Sequence, residues 1–147
     1  MVICLIGENC TGKSSIANAL AARLSAELVT GKDYLRLAKS ETEAKRAFTA
    51  LLTEHLASNR SLVYVASEQE QLALLPSGVF RVLVTAELSR IKERFGLRMN
   101  GKLPAPVEAM LERKHGMFDE LPCELRIHTA GISAESAAEE ILSQLNI

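Results

Sequence analysis

The sequence predicts an α/β fold, a three-layer α/β/α sandwich in which helices cover both faces of a parallel sheet. Two observations carry this prediction. Five short apolar runs alternate along the chain with segments of helical periodicity. A glycine-containing loop over residues 7–14 joins the first apolar run to the first helical segment. The length of 147 residues fits a single domain over residues 1–147.

The strand predictions rest on the apolar runs. Val2–Ile6 is apolar at every position, which is typical of a parallel strand buried on both faces. The remaining runs are Glu27–Thr30, Leu62–Ala66, residues 79–84 and residues 124–128. The last run is the weakest, because charged residues interrupt it.

The segments between the strands carry apolar residues at helical spacing. In residues 14–26, Ile16, Leu20 and Leu24 recur every four positions. The other predicted helices cover residues 39–58, 87–95, 106–115 and 134–145, the last with Ala137, Ala138, Ile141 and Leu145 inward. Alternating strands and helices indicate a parallel sheet with ligands at the carboxyl ends of its strands.

The composition excludes several kinds of partner. Seventeen basic and eighteen acidic residues give a net charge of −1, which provides no electrostatic footprint for nucleic acid or a membrane surface. The longest apolar run is far shorter than the ~20 residues of a membrane span. Three scattered cysteines without metal-ligand spacing are typical of a reduced compartment, so we expect a cytoplasmic protein.

Residues 7–14, GENCTGKS, match the phosphate-binding pattern G-x-x-x-x-G-K-[ST] between a strand and a helix. Glycines at both ends let backbone N–H groups face inward and form an anion nest above a helix N-terminus. Lys13 is expected to reach the β- and γ-phosphates of ATP, and the Ser14 hydroxyl to bind Mg²⁺. The predicted nucleotide-binding residues of this segment are Gly7, Glu8, Asn9, Cys10, Thr11, Gly12, Lys13, Ser14 and Ser15. A chance glycine turn is the alternative.

The segment GENCTGKSS, the tract FRVLVTAELSRIKERFGLR (residues 80–98) and the closing ELRIHTAGISAESAAEEI (residues 124–141) together resemble the small P-loop kinases of nucleoside monophosphates and metabolites. Adenylate, cytidylate, shikimate and gluconate kinases belong to this group. The resemblance implies a P-loop NTPase sheet of order 2-3-1-4-5 and a lid over about residues 95–118. It also implies phosphoryl transfer from ATP to a small acceptor.

Three arginines recur every fourth position in the segment that leads to the lid: Arg90, Arg94 and Arg98. Convergent cations on a closing element suit phosphoryl transfer, which depends on charge neutralisation. The resemblance implies one arginine against adenine and others on the phosphates, roles that Arg90 as a nucleotide contact and Arg94 as a catalytic residue match; Arg98 is a further catalytic candidate. The alternative is a solvated helix with Glu87 and Glu93 as ionic partners. Arg113 and Lys114 either complete the basic lining of the lid or form a surface pair.

Two acidic residues are candidates for catalysis and metal binding. Asp33, after the second strand, is expected to accept the acceptor's proton or to hold Mg²⁺; otherwise it is a helix N-cap. The third strand ends without the Asp that many P-loop proteins carry there, and Glu68 either substitutes as a metal ligand or begins the next helix. Lys32 and Arg36 are candidate contacts for an anionic acceptor.

These observations predict a Mg-ATP-dependent kinase with an unidentified acceptor. The rival hypothesis is a nucleotide sensor or degenerate kinase that binds ATP without efficient transfer. A GTPase is disfavoured, because no N-K-x-D signature is present. Cys10 is expected to fill a variable loop position, with a redox role as the alternative. The histidines His55, His115 and His128 are expected to be structural.

Overall fold

A computed structural model, which describes residues 1–146, contains a five-stranded parallel sheet. The strands are β1 (Val2–Ile6), β2 (Glu27–Thr30), β3 (Leu62–Ala66), β4 (Phe80–Thr85) and β5 (Leu125–His128). Their order is β2-β3-β1-β4-β5, which confirms the expected order. The fully buried β1 lies at the centre, and its last residue, Ile6, is in register with Ala66 of β3 and Leu83 of β4.

Each predicted helix is present, with ends shifted by a few residues. The helices are α1 (Lys13–Leu24), α2 (Glu41–Leu56), α3 (Gln69–Leu72), α4 (Leu88–Arg98), α5 (Ala105–Lys114) and α6 (Ala134–Gln144). The sequence pattern did not predict the short 3-10 helix Asp33–Leu37 or the limited length of α3, a single turn between β3 and β4. Within residues 1–146, no helix combines the length and the apolar character needed to cross a membrane.

Helices α1 and α6 pack together on one face of the sheet, against the inward side chains of all strands except β2. Their buried residues are Ile16, Ala17, Leu20, Ala137, Ala138, Ile141 and Leu142. The prediction that Leu145 faces inward is only partly correct. Helix α6 ends at Gln144, so Leu145 is its C-terminal cap and only half-buried, while Leu142 is buried within the helix.

The opposite face of the sheet is covered by α2 and the 3-10 helix, which completes the predicted three layers. The ring of Phe48 stacks on Tyr34 at a centroid distance of 5.3 Å and meets Tyr64 edge-on at 4.8 Å. Because Tyr34 is the residue of the 3-10 helix that enters this core, the preceding Asp33 is exposed. The alternative prediction that Asp33 is an N-cap is wrong: Lys32 holds that position, and no side chain caps the helix.

Helices α4 and α5 pack against each other and against the loop of residues 7–14 through a small third cluster. Its fully buried members are Cys10 of the loop, Ala86 before α4, Ile91 of α4 and Leu111 of α5. Cys10 thus fills an apolar gap, as expected from its small size. The predicted lid region, about residues 95–118, begins in the last turn of α4 and includes all of α5.

Gly7 joins β1 to the loop at a point where the chain is confined on both sides. Its N–H donates to the Ala66 carbonyl of β3 at 3.2 Å. On the other side, a Cβ atom added to Gly7 would lie 2.4 Å from the Val84 carbonyl oxygen of β4. Only glycine fits, because the obstructing atom belongs to the backbone of a buried strand.

We predict that Gly7→Ala destabilises the protein by about 2 kcal/mol or more, because β1 and β4 must separate to admit the methyl group. Urea unfolding followed by circular dichroism measures the change. Gly96→Ala is the matched control: Gly96 is helical, and its added Cβ would meet only Leu103 Cβ at 4.0 Å. The Gly96→Ala protein should be as stable as wild type or more stable by up to about 1 kcal/mol. Equal effects of both substitutions would contradict the close-contact argument.

Candidate functional site

The loop of residues 7–14 lies at the carboxyl end of the central strand and leads directly into α1. Two residues in it, Cys10 and Gly12, have left-handed backbone conformations with φ of 64° and 99°. Gly12 is the N-cap of α1 and has no side chain with which to bond the first helical N–H groups. These donors and the positive end of the helix are therefore available to an anion.

Lys13 is the first residue of α1, and its side chain is almost completely buried. The ammonium group donates to the backbone carbonyl of Glu8, which also accepts from Thr11 Oγ1 at 3.0 Å. The pKa of Lys13 is lowered to about 8, mainly by burial; the charge of Arg98 makes a smaller contribution in the same direction, and Cys10 and Glu8 oppose the shift. A buried cation next to a second cation makes the site favourable for an anion.

The carboxylate of Glu8 ties the loop to the segment that follows α5. It accepts from the Gly116 N–H at 3.1 Å and lies 3.0 Å from His115 Nδ1. The Glu8 side chain is only 11% exposed, so this contact is shielded from solvent. His115, expected to be structural, therefore contributes to holding α5 against the loop.

Two further contacts hold the loop, one from α4 and one from the residue that follows β5. Arg94 donates to the Cys10 carbonyl at 3.0 Å. The buried Thr129, which follows β5, donates its hydroxyl to the Thr11 carbonyl at 2.9 Å and lies 3.2 Å from the Thr85 carbonyl. Sequence reasoning missed Thr129. Its only signal was its position directly after the last strand, at the sheet edge where ligands bind.

Two cavities meet at the loop. The larger, which we call the outer cavity, has a volume of about 480 Å³; it is lined by Cys10, Gly12, Ser15, Ile16, Arg94, Leu97, Arg98, Thr129, Ile132, Ser133 and Ala134. The smaller, the inner cavity, has a volume of about 220 Å³; it is lined by Asn9, Cys10, Gly12, Lys13, Ser14, Ser15, Thr30, Val65, Ser67 and Arg98. Arg98 lines both, so its side chain lies where the cavities adjoin.

The structure brings Arg94 and Arg98 to the loop but not Arg90. Arg90 is exposed and lines neither cavity, so its predicted contact with the nucleotide has no support from the geometry. The alternative in which Glu87 and Glu93 pair with these arginines is not observed among residues 1–146. Glu87 instead lies 3.6 Å from His128 Nε2.

The two acidic candidates line neither cavity. Asp33 is exposed on the 3-10 helix, and Glu68 pairs with Lys114 at 3.4 Å at the start of α3. Neither lines the inner cavity with Ser14. In the described part of the chain, three or more His, Cys, Asp or Glu side chains are nowhere grouped as metal ligands. The position of Glu68 agrees with the alternative that it begins the next helix, and the position of Lys114 with a surface pair.

The remaining histidines have structural contacts, as expected. His55 is buried in α2, with Nδ1 2.9 Å from the Leu51 carbonyl and Nε2 3.3 Å from Glu27. His128 Nδ1 lies 3.1 Å from the Thr85 hydroxyl. Lys32 forms an exposed pair with Glu70 at 3.5 Å, and Arg36 is exposed; neither lines a cavity at the loop.

The fold is similar to that of several solved structures, among them two small-molecule kinases. A shikimate kinase from Acinetobacter baumannii in complex with shikimate superposes with a TM-score of 0.65 at 16% identity, covering 99% of this chain and 92% of that one. A gluconokinase from Sinorhizobium meliloti 1021 gives 0.61 at 20% identity, with 99% and 91% covered. The YorR protein from Bacillus subtilis, in complex with phosphorylated GDP, gives 0.66 at 22% identity, with 99% and 96% covered.

No protein-family model and no curated protein sequence matches the chain. At identities of 16–22% the superpositions establish the fold. They confirm the predicted P-loop kinase architecture: a five-stranded parallel sheet of order 2-3-1-4-5 between two layers of helices.

We predict that Lys13→Met stabilises the ligand-free protein at pH 7 by up to about 3 kcal/mol, the equivalent of lowering a pKa from 10.5 to about 8. The unfolded chain binds more protons than the folded chain between about pH 8 and 10.5. Wild-type stability should therefore rise with pH across that window, and the variant should lose this rise. Urea unfolding at several pH values provides the measurement.

The control for Lys13→Met is Lys92→Met. Lys92 pairs with Glu108 and Glu112 at the surface of the α4–α5 hairpin, at 3.1 and 2.6 Å. Its removal breaks only surface ion pairs, so it should change stability far less than Lys13→Met does and should leave the rise of stability with pH in place. A Lys13→Met protein that is less stable than wild type across the pH range would show that burial of this ammonium is not a net cost.

We also predict that Glu8→Ala frees the segment after α5 from the loop. The Gly116 amide loses a charge-assisted hydrogen bond worth roughly 1.5–3 kcal/mol, so its exchange with solvent deuterium should accelerate by about tenfold or more. Hydrogen exchange resolved at Gly116 measures this effect. Glu68→Ala, which removes the Lys114 pair and the Glu68 cap of α3 but no bond to Gly116, is the control and should leave exchange at Gly116 within about twofold of wild type.

Proposed function

We propose that this protein is a Mg-ATP-dependent kinase that transfers the γ-phosphoryl group of ATP to a small acceptor. One observation carries the proposal: Lys13 and Arg98, two cationic side chains on different helices, line the same cavity at the phosphate-binding loop. Their charges act on each other, since Arg98 lowers the pKa of Lys13. Bound phosphates would neutralise both cations, and phosphoryl transfer needs this kind of charge stabilisation.

The loop residues would hold the phosphates. The N–H groups at the start of α1 and Lys13 would bind the β- and γ-phosphates, with the hydroxyls of Ser14 and Ser15 beside them in the inner cavity. Asn9 and Cys10 line the same cavity, and Cys10 also packs in the third cluster. Gly7 and Gly12 supply the turn, and the carbonyls of Glu8 and Thr11 accept the bonds that hold the loop in shape.

The two arginines near the loop would have different roles. Arg94 is half-buried and already donates to the Cys10 carbonyl, so it acts as a positioning residue that fixes the loop. Arg98 is exposed, lies where the cavities adjoin, and donates no hydrogen bond to the described residues. Arg98 is therefore the candidate for contact with the transferring phosphoryl group as α4 and α5 close and exclude water.

The outer cavity is the proposed site of the nucleoside. The exposed apolar side chains of Leu97 and Ile132 line it and offer surface for a base, while Ser133 and Thr129 supply hydroxyls. Adenine is the base proposed here, since the sequence lacks the N-K-x-D guanine signature. The similar YorR protein was solved with phosphorylated GDP, and comparing the affinities for ATP and GTP by calorimetry tests the choice of base.

The donors around the inner cavity fit Mg²⁺ in a limited way. Ser14 contributes a hydroxyl, and Thr30 and Ser67 add two more, but no carboxylate lines the cavity among residues 1–146. Such a set suits an ion held mainly by water and the nucleotide phosphates, with Ser14 as its protein ligand. When bound, Mg²⁺ would neutralise charge on the phosphates. Asp33 and Glu68 are not supported as its ligands.

A nucleotide sensor or degenerate kinase is the second candidate function. The observation that favours it is the exposed position of Asp33 and the pairing of Glu68 with Lys114, which leave the phosphate site without a nearby catalytic carboxylate. In this alternative the same residues bind Mg-ATP without efficient transfer.

Three unpaired cysteines accord with the proposed cytoplasmic setting. The proposed partners are ATP and a small molecule, not nucleic acid or a membrane.

We predict that Lys13→Ala weakens binding of a non-hydrolysable Mg-ATP analogue by on the order of a hundredfold or more, since the buried cation is lost. In the wild-type protein, binding should also weaken as pH rises through about 8, where Lys13 loses its charge in the free protein. Isothermal titration calorimetry between pH 7 and about 9.5 measures both effects. The Lys13→Ala variant should lack the pH dependence, and unchanged affinity in this variant would refute the proposed phosphate site.

We predict that Arg98→Met lowers kcat by on the order of a hundredfold or more, while nucleotide affinity changes by less than about tenfold. Arg90→Met is the matched control on the same helix, because Arg90 is exposed and lines neither cavity. It should keep kcat within about twofold of wild type. Steady-state ADP release with an active acceptor provides the measurement.

The experiment that separates the two candidate functions measures ATP binding and acceptor-stimulated ADP formation in the same preparation. A kinase binds ATP and forms ADP only with an acceptor. Micromolar ATP binding without stimulation by any acceptor would favour the sensor.

A further inference from the structure

We infer that Thr129 is a positioning residue for phosphate binding: its hydroxyl holds the Thr11 carbonyl and thereby turns the Gly12 N–H toward the phosphates. The inference rests on the proposed binding of phosphates at the loop of residues 7–14, and it adds a residue that lies outside that loop. The observation behind it is a buried hydrogen bond of 2.9 Å from the Thr129 hydroxyl to the Thr11 carbonyl, which joins residues 118 positions apart.

The Thr11 carbonyl has one hydrogen-bond donor among residues 1–146, and that donor is the Thr129 hydroxyl. Thr11 is fully buried, so solvent water does not replace a lost partner there. The Thr85 carbonyl lies 3.2 Å from the same hydroxyl, but it already accepts from the Thr129 N–H at 2.9 Å. The single hydroxyl proton therefore goes to Thr11, and toward a bound nucleoside the hydroxyl can only accept.

Thr129 is itself held at the edge of the sheet where β4 and β5 end. Its N–H donates to Thr85, the last residue of β4, and it directly follows His128, the last residue of β5. These two strands are paired in register up to Thr85 and His128. The position of the hydroxyl is therefore fixed by the sheet and does not depend on the conformation of the phosphate-binding loop.

The hydrogen bond to Thr11 fixes the orientation of one peptide plane. No peptide bond within residues 1–146 is cis, and in a planar trans peptide the carbonyl and the next N–H point in opposite directions. The Gly12 N–H therefore points away from Thr129, and it donates to no group in the described part of the chain. Because Gly12 lines both cavities and Thr129 only the outer one, this donor is turned toward the inner cavity, which Lys13 also lines.

The residue after this peptide bond, Gly12, is the reason why the orientation needs to be held. Its φ is 99°, and glycine adopts positive and negative φ about equally well. The peptide between Thr11 and Gly12 can therefore rotate at low cost, which would turn the Thr11 carbonyl toward the phosphates. A carbonyl oxygen there repels an anion, whereas an N–H group binds it. The Thr129 hydroxyl selects the orientation that binds.

Arg94 orients the preceding peptide in the same way, because it donates to the Cys10 carbonyl at 3.0 Å. Its positive charge would also act on the phosphates directly, so a substitution at Arg94 does not isolate the effect of orientation. Thr129 is neutral, and its hydroxyl acts on the phosphates only through the Gly12 N–H. Thr129 is therefore the residue to test.

The test compares Thr129→Val, which keeps the shape of the side chain but removes the hydroxyl, with Thr129→Ser, which keeps the hydroxyl. Isothermal titration calorimetry on the full chain measures binding of magnesium tripolyphosphate, a probe with phosphates and no nucleoside, and of a non-hydrolysable Mg-ATP analogue. Thr49→Val is the matched control, since Thr49 of α2 donates to the Leu74 carbonyl at the same 2.9 Å and lines neither cavity at the loop. Urea unfolding verifies that each variant is folded under the conditions of the titration.

We expect Thr129→Val to weaken tripolyphosphate binding by about tenfold or more, the loss of one charge-assisted hydrogen bond. Thr129→Ser and Thr49→Val should stay within about threefold of wild type. Unchanged affinity in Thr129→Val overturns the inference, and so does an equally weak Thr129→Ser, because that variant retains the hydroxyl. Weaker binding of the ATP analogue alone, with tripolyphosphate binding unchanged, also overturns it, because the hydroxyl would then contact the nucleoside.

The proposed function fails separately. If Lys13→Ala abolishes binding while Thr129→Val does not weaken it, the phosphate site stands and only the inference is lost. A wild-type protein that does not bind tripolyphosphate overturns the inference. If this protein does not bind the ATP analogue either, the proposed function fails as well.

A second measurement uses the wild-type chain and does not depend on the stability of any variant. In nitrogen–proton NMR spectra we expect the Gly12 amide proton to shift downfield when tripolyphosphate binds, because its N–H gains a charged acceptor. A Gly12 amide that does not respond, while the amides at the start of α1 do, would show that this N–H does not face the phosphates and would overturn the inference.

Discussion

The burial of the Lys13 ammonium is the interaction on which the rest of this structure depends. A charge at this depth is unfavourable, and the lowered pKa of Lys13 expresses that penalty. The loop offsets only part of it, through the Glu8 carbonyl. Arg98 adds a second positive charge nearby and increases the penalty. The ligand-free site is thus destabilised in a way that an anion specifically relieves, and affinity is gained at the expense of stability.

Contacts from the sheet and from the α4–α5 hairpin keep this cation in place. Gly7 is confined between β3 and β4, which fixes where the loop begins. Glu8 then connects the two halves of the site: its carbonyl holds Lys13, and its carboxylate holds the segment after α5 at Gly116. A change in the position of that segment therefore shifts Glu8 and, with it, the loop. This provides a physical route by which closure of the hairpin and phosphate binding influence each other.

The sequence predicted best what depends on local pattern. The strand–loop–helix unit around residues 7–14 follows from short-range periodicity and glycine placement. The strand order was implied by the resemblance to small P-loop kinases. The positions of Arg90, Asp33 and Glu68 could not be predicted in this way. Each depends on which neighbouring side chain enters a core formed by distant segments, as when Tyr34 packs on Phe48 and leaves Asp33 outside. Thr129 was missed for the same reason, since its partner Thr11 lies 118 positions away in the chain.

The distribution of charge explains why the phosphate site and the acidic residues are separated. Glu8 lies in the loop and Glu68 follows β3, the strand next to β1, yet both bind groups on the segment from Lys114 to Gly116 and so hold α5 in position. A carboxylate turned into the inner cavity would neutralise Lys13 and remove the unfavourable charge that a phosphate relieves. The same carboxylate would also repel that phosphate. Acidic residues therefore stabilise the frame of the site, and under the proposed function the negative charge within it comes from the nucleotide.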